Sequence, residues 1–205
     1  MPFKPGERQY RSWCGPAVPV PAEKADDRAG YVVEGYATTF DAPYEFYRDA
    51  DGQPVYERID PHALDGADMT DVIFQLNHEG APLARLRNSS LELERDGHGL
   101  RVRASLGGSA KGRELYEAVS NGLIDRMSWG FTIADDGWQW DEATRTSTIT
   151  KVGKVFDVSA VSMPADEDTE IHARSYLDGA IEAGRQELSS RDSERRARIA
   201  LALAV

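Results

Sequence analysis

Between Tyr31 and Met163 apolar and polar positions mostly follow a period of two, and the period changes once. Tyr31-Val32-Val33-Glu34-Gly35-Tyr36-Ala37-Thr38-Thr39-Phe40 is rich in β-branched and aromatic residues and predicts a first strand. Asp41 to Asp51 is polar and turn-prone. Pro54 to Ile59 reads as a strand, and Asp60-Pro61-His62-Ala63-Leu64 as a short helical turn with proline at its first position. Val72-Ile73-Phe74-Gln75-Leu76 is an apolar run suited to a buried strand, and it delivers Asn77-His78-Glu79-Gly80 at its end. Three alternating segments follow, Leu83 to Leu86, Leu91 to Glu94 and Leu100 to Ala104, separated by Asn88-Ser89-Ser90 and Asp96-Gly97-His98-Gly99 as in an antiparallel meander.

The period becomes helical from Ser109 to Gly122. Leu115, Ala118 and Val119 share one face, Ser109 can cap the start and Gly122 the end. Leu123-Ile124-Asp125 then leads into Ser128 to Ile133, a strand with a hydroxyl near its beginning, between the bulky Met127 and Trp129. Trp138 and Trp140, flanked by Asp135-Asp136-Gly137 and Asp141-Glu142-Ala143, predict a solvent-facing hairpin that continues into Ser147 to Val152. Lys154 to Met163 is the last core strand, and Pro164 ends it.

The two ends break the pattern. Residues 1–28 carry Pro2, Pro5, Pro16, Pro19 and Pro21 without a strand or helix period and predict a flexible arm. Residues 175–205 are helix-prone and form an appended tail, with Arg191, Arg195, Arg196 and Arg198 ahead of Ile199-Ala200-Leu201-Ala202-Leu203. The expected organisation is thus one domain over 29–174 between an arm and a helical tail. Its fold class is α+β, a mainly antiparallel, barrel-like sheet with flanking helices.

Composition narrows the function classes. The 205 residues suffice for one sizeable core, and 40% hydrophobic with 29% charged residues describes a soluble globular protein. No apolar run approaches the roughly 18 residues of a membrane span. The start lacks the apolar middle of a secretory signal, so a cytoplasmic location is expected. The lone Cys14 excludes an internal disulfide, and in a mobile arm it lacks the positioned base that a thiol nucleophile needs. Residues 1–28 and 174–205 each carry a net charge of +1, which leaves −13 of the total −11 between them and argues against a nucleic-acid partner.

The wording of three segments adds more. Asn77-His78, then Met127-Ser128-Trp129-Gly130-Phe131, then Phe156-Asp157-Val158-Ser159-Ala160-Val161-Ser162-Met163-Pro164-Ala165 resemble, in order and content, the tailed-phage prohead (capsid maturation) serine proteases. Glu34-Gly35-Tyr36-Ala37 and Asp60-Pro61-His62-Ala63-Leu64 belong to the same resemblance, which spans Tyr31 to Arg174. It implies a fold similar to the herpesvirus assembly protease, and a serine endopeptidase packaged in the procapsid in the bacterial host cytoplasm. Such an enzyme cleaves the scaffolding segment of the major capsid protein and then itself, and self-association goes with that setting.

The resemblance assigns Ser128 as nucleophile, His78 as base and Asp157 as the orienting acid. Relatives often carry glutamate at the last position, which leaves Asp125 and Glu79 as rivals for the acid. Peptide hydrolysis by serine needs such a base, a group that orients it, and donors for the oxyanion. The order histidine, serine, acid matches none of the familiar triad templates, but a triad is defined by geometry. No cofactor is implied. Metal hydrolysis would call for a clustered pattern such as His-Glu-x-x-His, whereas the four histidines are far apart in sequence. The competing class is a non-enzymatic capsid-assembly domain with a degenerate site.

Overall fold

The computed structural model describes residues 6–13, 18–20 and 31–162, and in them the period-two segments become thirteen strands around one α-helix. The first sheet contains β1 (Arg8–Trp13), β10 (Arg126–Ile133), β13 (Val152–Val161), β6 (Ile73–Leu76) and β7 (Glu79–Arg85), in that spatial order. The second runs β11 (Trp138–Asp141), β12 (Thr146–Ile149), β5 (Pro54–Ile59), β4 (Tyr44–Arg48), and the third β2 (Val18–Val20), β3 (Val32–Thr39), β9 (Gly99–Ser105), β8 (Leu91–Arg95). Pairing is antiparallel except for β13 with β6 and β12 with β5. The helix α1 (Ala110–Ser120) is capped as its sequence predicts, the Ser109 hydroxyl accepting from the Gly112 N–H at 3.0 Å.

The centre of the core is β10. Trp129 and Phe131 are fully buried and stacked at 3.9 Å, with Phe74 of β6 and Val155 and Val158 of β13 also fully buried. Every residue of β10 from Met127 to Ile133 is buried, so both of its faces are covered and its polar members go inside with the apolar ones. This places the Ser128 hydroxyl in the interior and obliges it to find partners there.

Four expectations change. The sheets do not close into a barrel; they remain three sheets, each with free edges among the described residues. Asp60 to Leu64 forms hydrogen-bonded turns and no helix. Trp138 and Trp140 lie half-buried against the core instead of facing solvent, because β12, which pairs with their strand, is itself buried. The arm is structured over Arg8–Trp13, where β1 pairs residue for residue with β10 from Arg8↔Thr132 to Trp13↔Met127, and over Val18–Val20, where β2 pairs with β3. Cys14, the tail and the segment from Met163 to Pro164 lie outside the described residues.

The reason β1 escapes a hydrophobic-pattern reading is that polar bonds anchor it. Arg11, 5% exposed, makes a two-pronged ion pair with the fully buried Glu57 of β5, Nε to Oε1 at 2.6 Å and Nη2 to Oε2 at 3.0 Å. Its guanidinium also sits 4.5 Å from the Phe46 ring of β4, and the Tyr44 hydroxyl donates to Glu57. Burial, followed by the adjacent Glu57 carboxylate, pushes the Tyr44 phenol well above its ordinary pKa and keeps it a donor. The same ion pair ties the first sheet to the second. Glu57→Ala leaves a buried guanidinium without its carboxylate, a loss of about 3–5 kcal/mol in urea unfolding. It also speeds amide exchange along β1. A loss below about 1 kcal/mol contradicts this account of how β1 is held.

Candidate active site

His78 stands on the two-residue turn that joins β6 to β7, where Leu76 pairs with Glu79. Asn77 (φ 51°) and His78 (φ 59°) are both left-handed, as a tight hairpin turn of this kind requires. Asparagine tolerates that conformation. Histidine, like asparagine, is among the non-glycine residues enriched there, and its surroundings fix it in place. They hold it through the end of β13: the Asn77 N–H donates to the Ala160 carbonyl at 2.9 Å, the Asn77 side-chain oxygen accepts from the Ser162 N–H at 3.0 Å, and the His78 N–H donates to the Ser159 hydroxyl at 3.2 Å.

The antiparallel register of β10 and β13 sets Ser128 opposite Ser159 and Gly130 opposite Asp157. Since side chains alternate along a strand, these four residues share one face of the sheet. The imidazole of His78 reaches over that face. Its Nε2 lies 2.7 Å from Ser128 Oγ, and its Nδ1 is hydrogen-bonded to Asp157 Oδ2. Ser128 and Asp157 are fully buried, and the His78 side chain is 13% exposed. The three residues singled out from the sequence therefore meet as a connected chain of serine, histidine and carboxylate. The rivals do not join it: Asp125 is exposed beside Arg126, and Glu79 is exposed on β7.

Gly130 explains part of the Ser-Trp-Gly wording. A Cβ at this position would sit 2.5 Å from Asp157 Oδ1 and 2.9 Å from Tyr10 Cε1, so glycine provides the space that the carboxylate fills. Burial alone would raise the pKa of Asp157. The hydrogen bond and charge of His78, together with the charge of Arg8, hold it below the ordinary value. The Arg8 guanidinium binds Oδ1, while the Tyr10 ring packs against His78 at 4.4 Å between centroids. Burial raises the Tyr10 phenol as well, opposed by the Arg8 charge and assisted by Asp157. The Ser128 hydroxyl has one proton and two acceptors in reach, His78 Nε2 and the Arg11 carbonyl at 2.9 Å.

The chain matches the family model described as caudovirus prohead serine protease over residues 18–180. It belongs to that family. It is accordingly a protease of capsid maturation, and three of the segments that carry the resemblance in sequence converge on His78. Among solved structures it is similar to the bacteriophage T4 capsid assembly protease gp21, at 14% identity, covering 78% of this chain and 100% of that one with a TM-score of 0.43. No curated protein matches the chain.

Several members of the cluster were not found by reading the sequence. Arg8 and Tyr10 lie on β1, in the segment expected to be an arm, and the only signal was the alternation Arg8-x-Tyr10. Ser159 was legible as a letter of the family wording but without a role. His62 and His98 are exposed, and among the described residues no group of three His, Cys, Asp or Glu side chains is arranged to hold a metal ion.

Two outcomes follow from the packing around Asp157. In Gly130→Ala the new methyl must displace the carboxylate or Tyr10, so proteolysis falls more than about tenfold and stability drops by about 1–3 kcal/mol; normal proteolysis would show that the close approach is irrelevant. The folded-state pKa of Asp157 is depressed, so its stabilisation is present above the unfolded value near pH 4 and is lost as pH falls through the folded one. Between about pH 5 and pH 2 the wild type should lose more stability than Asp157→Asn. Parallel acid profiles would contradict the depressed pKa.

Proposed function

We propose that this protease is a serine endopeptidase in which Ser128 is the nucleophile, His78 the general base and Asp157 the group that orients His78. The observation that carries the proposal is the imidazole bridge, with Nε2 on the serine hydroxyl and Nδ1 on a buried carboxylate. In the neutral tautomer favoured by Asp157, Nδ1 carries the proton and Nε2 is free to accept from Ser128. Attack of Oγ on the peptide carbonyl passes that proton to Nε2. The imidazolium is stabilised by Asp157 and then protonates the leaving amine, after which water releases the acyl group by the same steps in reverse roles.

Ser128 Oγ is fully buried and has both His78 Nε2 and the Arg11 carbonyl in reach, so substrate binding has to expose it and turn its proton to His78. The substrate in this reading is the scaffolding segment of the major capsid protein, met inside the assembling procapsid in the host cytoplasm, and then the protease's own chain. Kinship of fold with the herpesvirus assembly protease belongs to the same proposal.

Co-expression with the major capsid protein, followed by mass mapping of the cleaved ends, tests the reading. Ser128→Ala and His78→Ala should each lower cleavage by about 10⁴ to 10⁶-fold, since such a unit fails as a whole, while the proteins stay folded. Asp157→Asn should remove most of the activity and Asp157→Glu less. Wild-type cleavage by Ser128→Ala ends the assignment, and greater damage from Asp125→Asn than from Asp157→Asn moves the acid's role elsewhere. Self-cleavage is read in the same samples: the active protein should shed mass from residues 176–205, and Ser128→Ala should keep them. An active protein that retains this segment throughout capsid cleavage contradicts self-processing there.

A further inference from the structure

We infer that Ser159 is a positioning residue for the His78 base, an inference that rests on the serine-endopeptidase reading. Ser159 is fully buried on β13, directly opposite Ser128 in register. Its hydroxyl has two described partners: it accepts from the main-chain N–H of His78 at 3.2 Å and donates to Asp157 Oδ2 at 3.1 Å. Neither direction is free to reverse. An N–H can only donate and an ionised carboxylate can only accept, so the Ser159 proton is committed to Asp157.

Asp157 Oδ2 is also the oxygen bonded to His78 Nδ1, while Oδ1 is bound by Arg8. One carboxylate oxygen thus receives the imidazole directly and, through Ser159, is linked to the backbone of the same histidine. The histidine is fixed at two points, its ring and its peptide nitrogen, both referred to one oxygen. This matters because the residue sits in a left-handed turn conformation, at φ 59°, that costs free energy for any residue with a side chain. Without the hydroxyl, the His78 N–H loses a buried acceptor and Oδ2 loses a donor. The imidazole then keeps its bond to Asp157 but not the backbone anchor that aims Nε2 at Ser128. The described partners of the Ser159 hydroxyl are His78 N and Asp157 Oδ2, so its effect reaches the chemical step through His78.

Ser159→Thr and Ser159→Val separate this role from simple packing, because threonine and valine have the same shape and differ in the hydroxyl. Ser159→Ala removes the hydroxyl without adding atoms and serves where the β-branched pair folds poorly. With a fluorogenic peptide spanning the mapped capsid cleavage site, the valine and alanine variants should have kcat about tenfold to a hundredfold below the threonine variant and the wild type respectively, at unchanged KM. Amide exchange at His78 should be faster in both. Equal kcat with and without the hydroxyl overturns the inference while Ser128-dependent cleavage stands, as does a loss confined to KM. Absence of Ser128-dependent cleavage in the wild type overturns the endopeptidase reading and this inference with it.

Discussion

The structure around the site depends on keeping one carboxylate charged in a buried place. Asp157 is fully buried, and an ionised group there is tolerated only when its oxygens are occupied by donors and a nearby positive charge. His78, Ser159 and Arg8 supply these from three different elements. Each partner brings its own requirement. The ring of His78 arrives on a strained turn stapled to the end of β13, Arg8 arrives on a strand from the start of the chain, and glycine must stand opposite at position 130 to leave room. The local geometry is the set of conditions under which Asp157 remains ionised, and in the proposed mechanism those conditions also prepare His78 to accept a proton from Ser128.

The strand β1 shows the same logic at larger scale. Its two faces reach two buried carboxylates, Arg8 to Asp157 and Arg11 to Glu57, and its backbone pairs with the strand that bears Ser128. Charge pairing thus joins the backbone ladder to β10 in holding it in place. Such pairs are costly to break from one side because a lone buried charge remains. A strand held in this way is attached firmly yet contributes a competing acceptor, the Arg11 carbonyl, at the serine hydroxyl.

How much of this was legible in the sequence follows from which force forms each element. Strands built on apolar alternation or apolar runs, β3, β5, β6 and β8 to β10, were found close to their observed limits, as was the helix with its Ser109 cap. The hydroxyl, imidazole and carboxylate were found because the family wording fixed them. What was missed is mostly polar: β1, anchored by ion pairs, and β4, whose Tyr44 and Phe46 meet Glu57 and Arg11 within a stretch that reads as turn; the three-residue β2 was hidden among the prolines of the expected arm. A barrel-like sheet was expected, but register and edges are properties of pairing between distant segments that no local pattern encodes.

The central claim is that Ser128 becomes nucleophilic through His78 and Asp157. Its most direct measurement is covalent trapping: a fluorophosphonate is added while the full-length protein is cleaving the capsid protein, and the modified peptide is mapped by mass spectrometry. The account predicts an adduct on Ser128 alone, accumulating in step with loss of cleavage and absent in His78→Ala. An adduct on another serine that tracks inactivation, or continued cleavage with Ser128 fully modified, would contradict it.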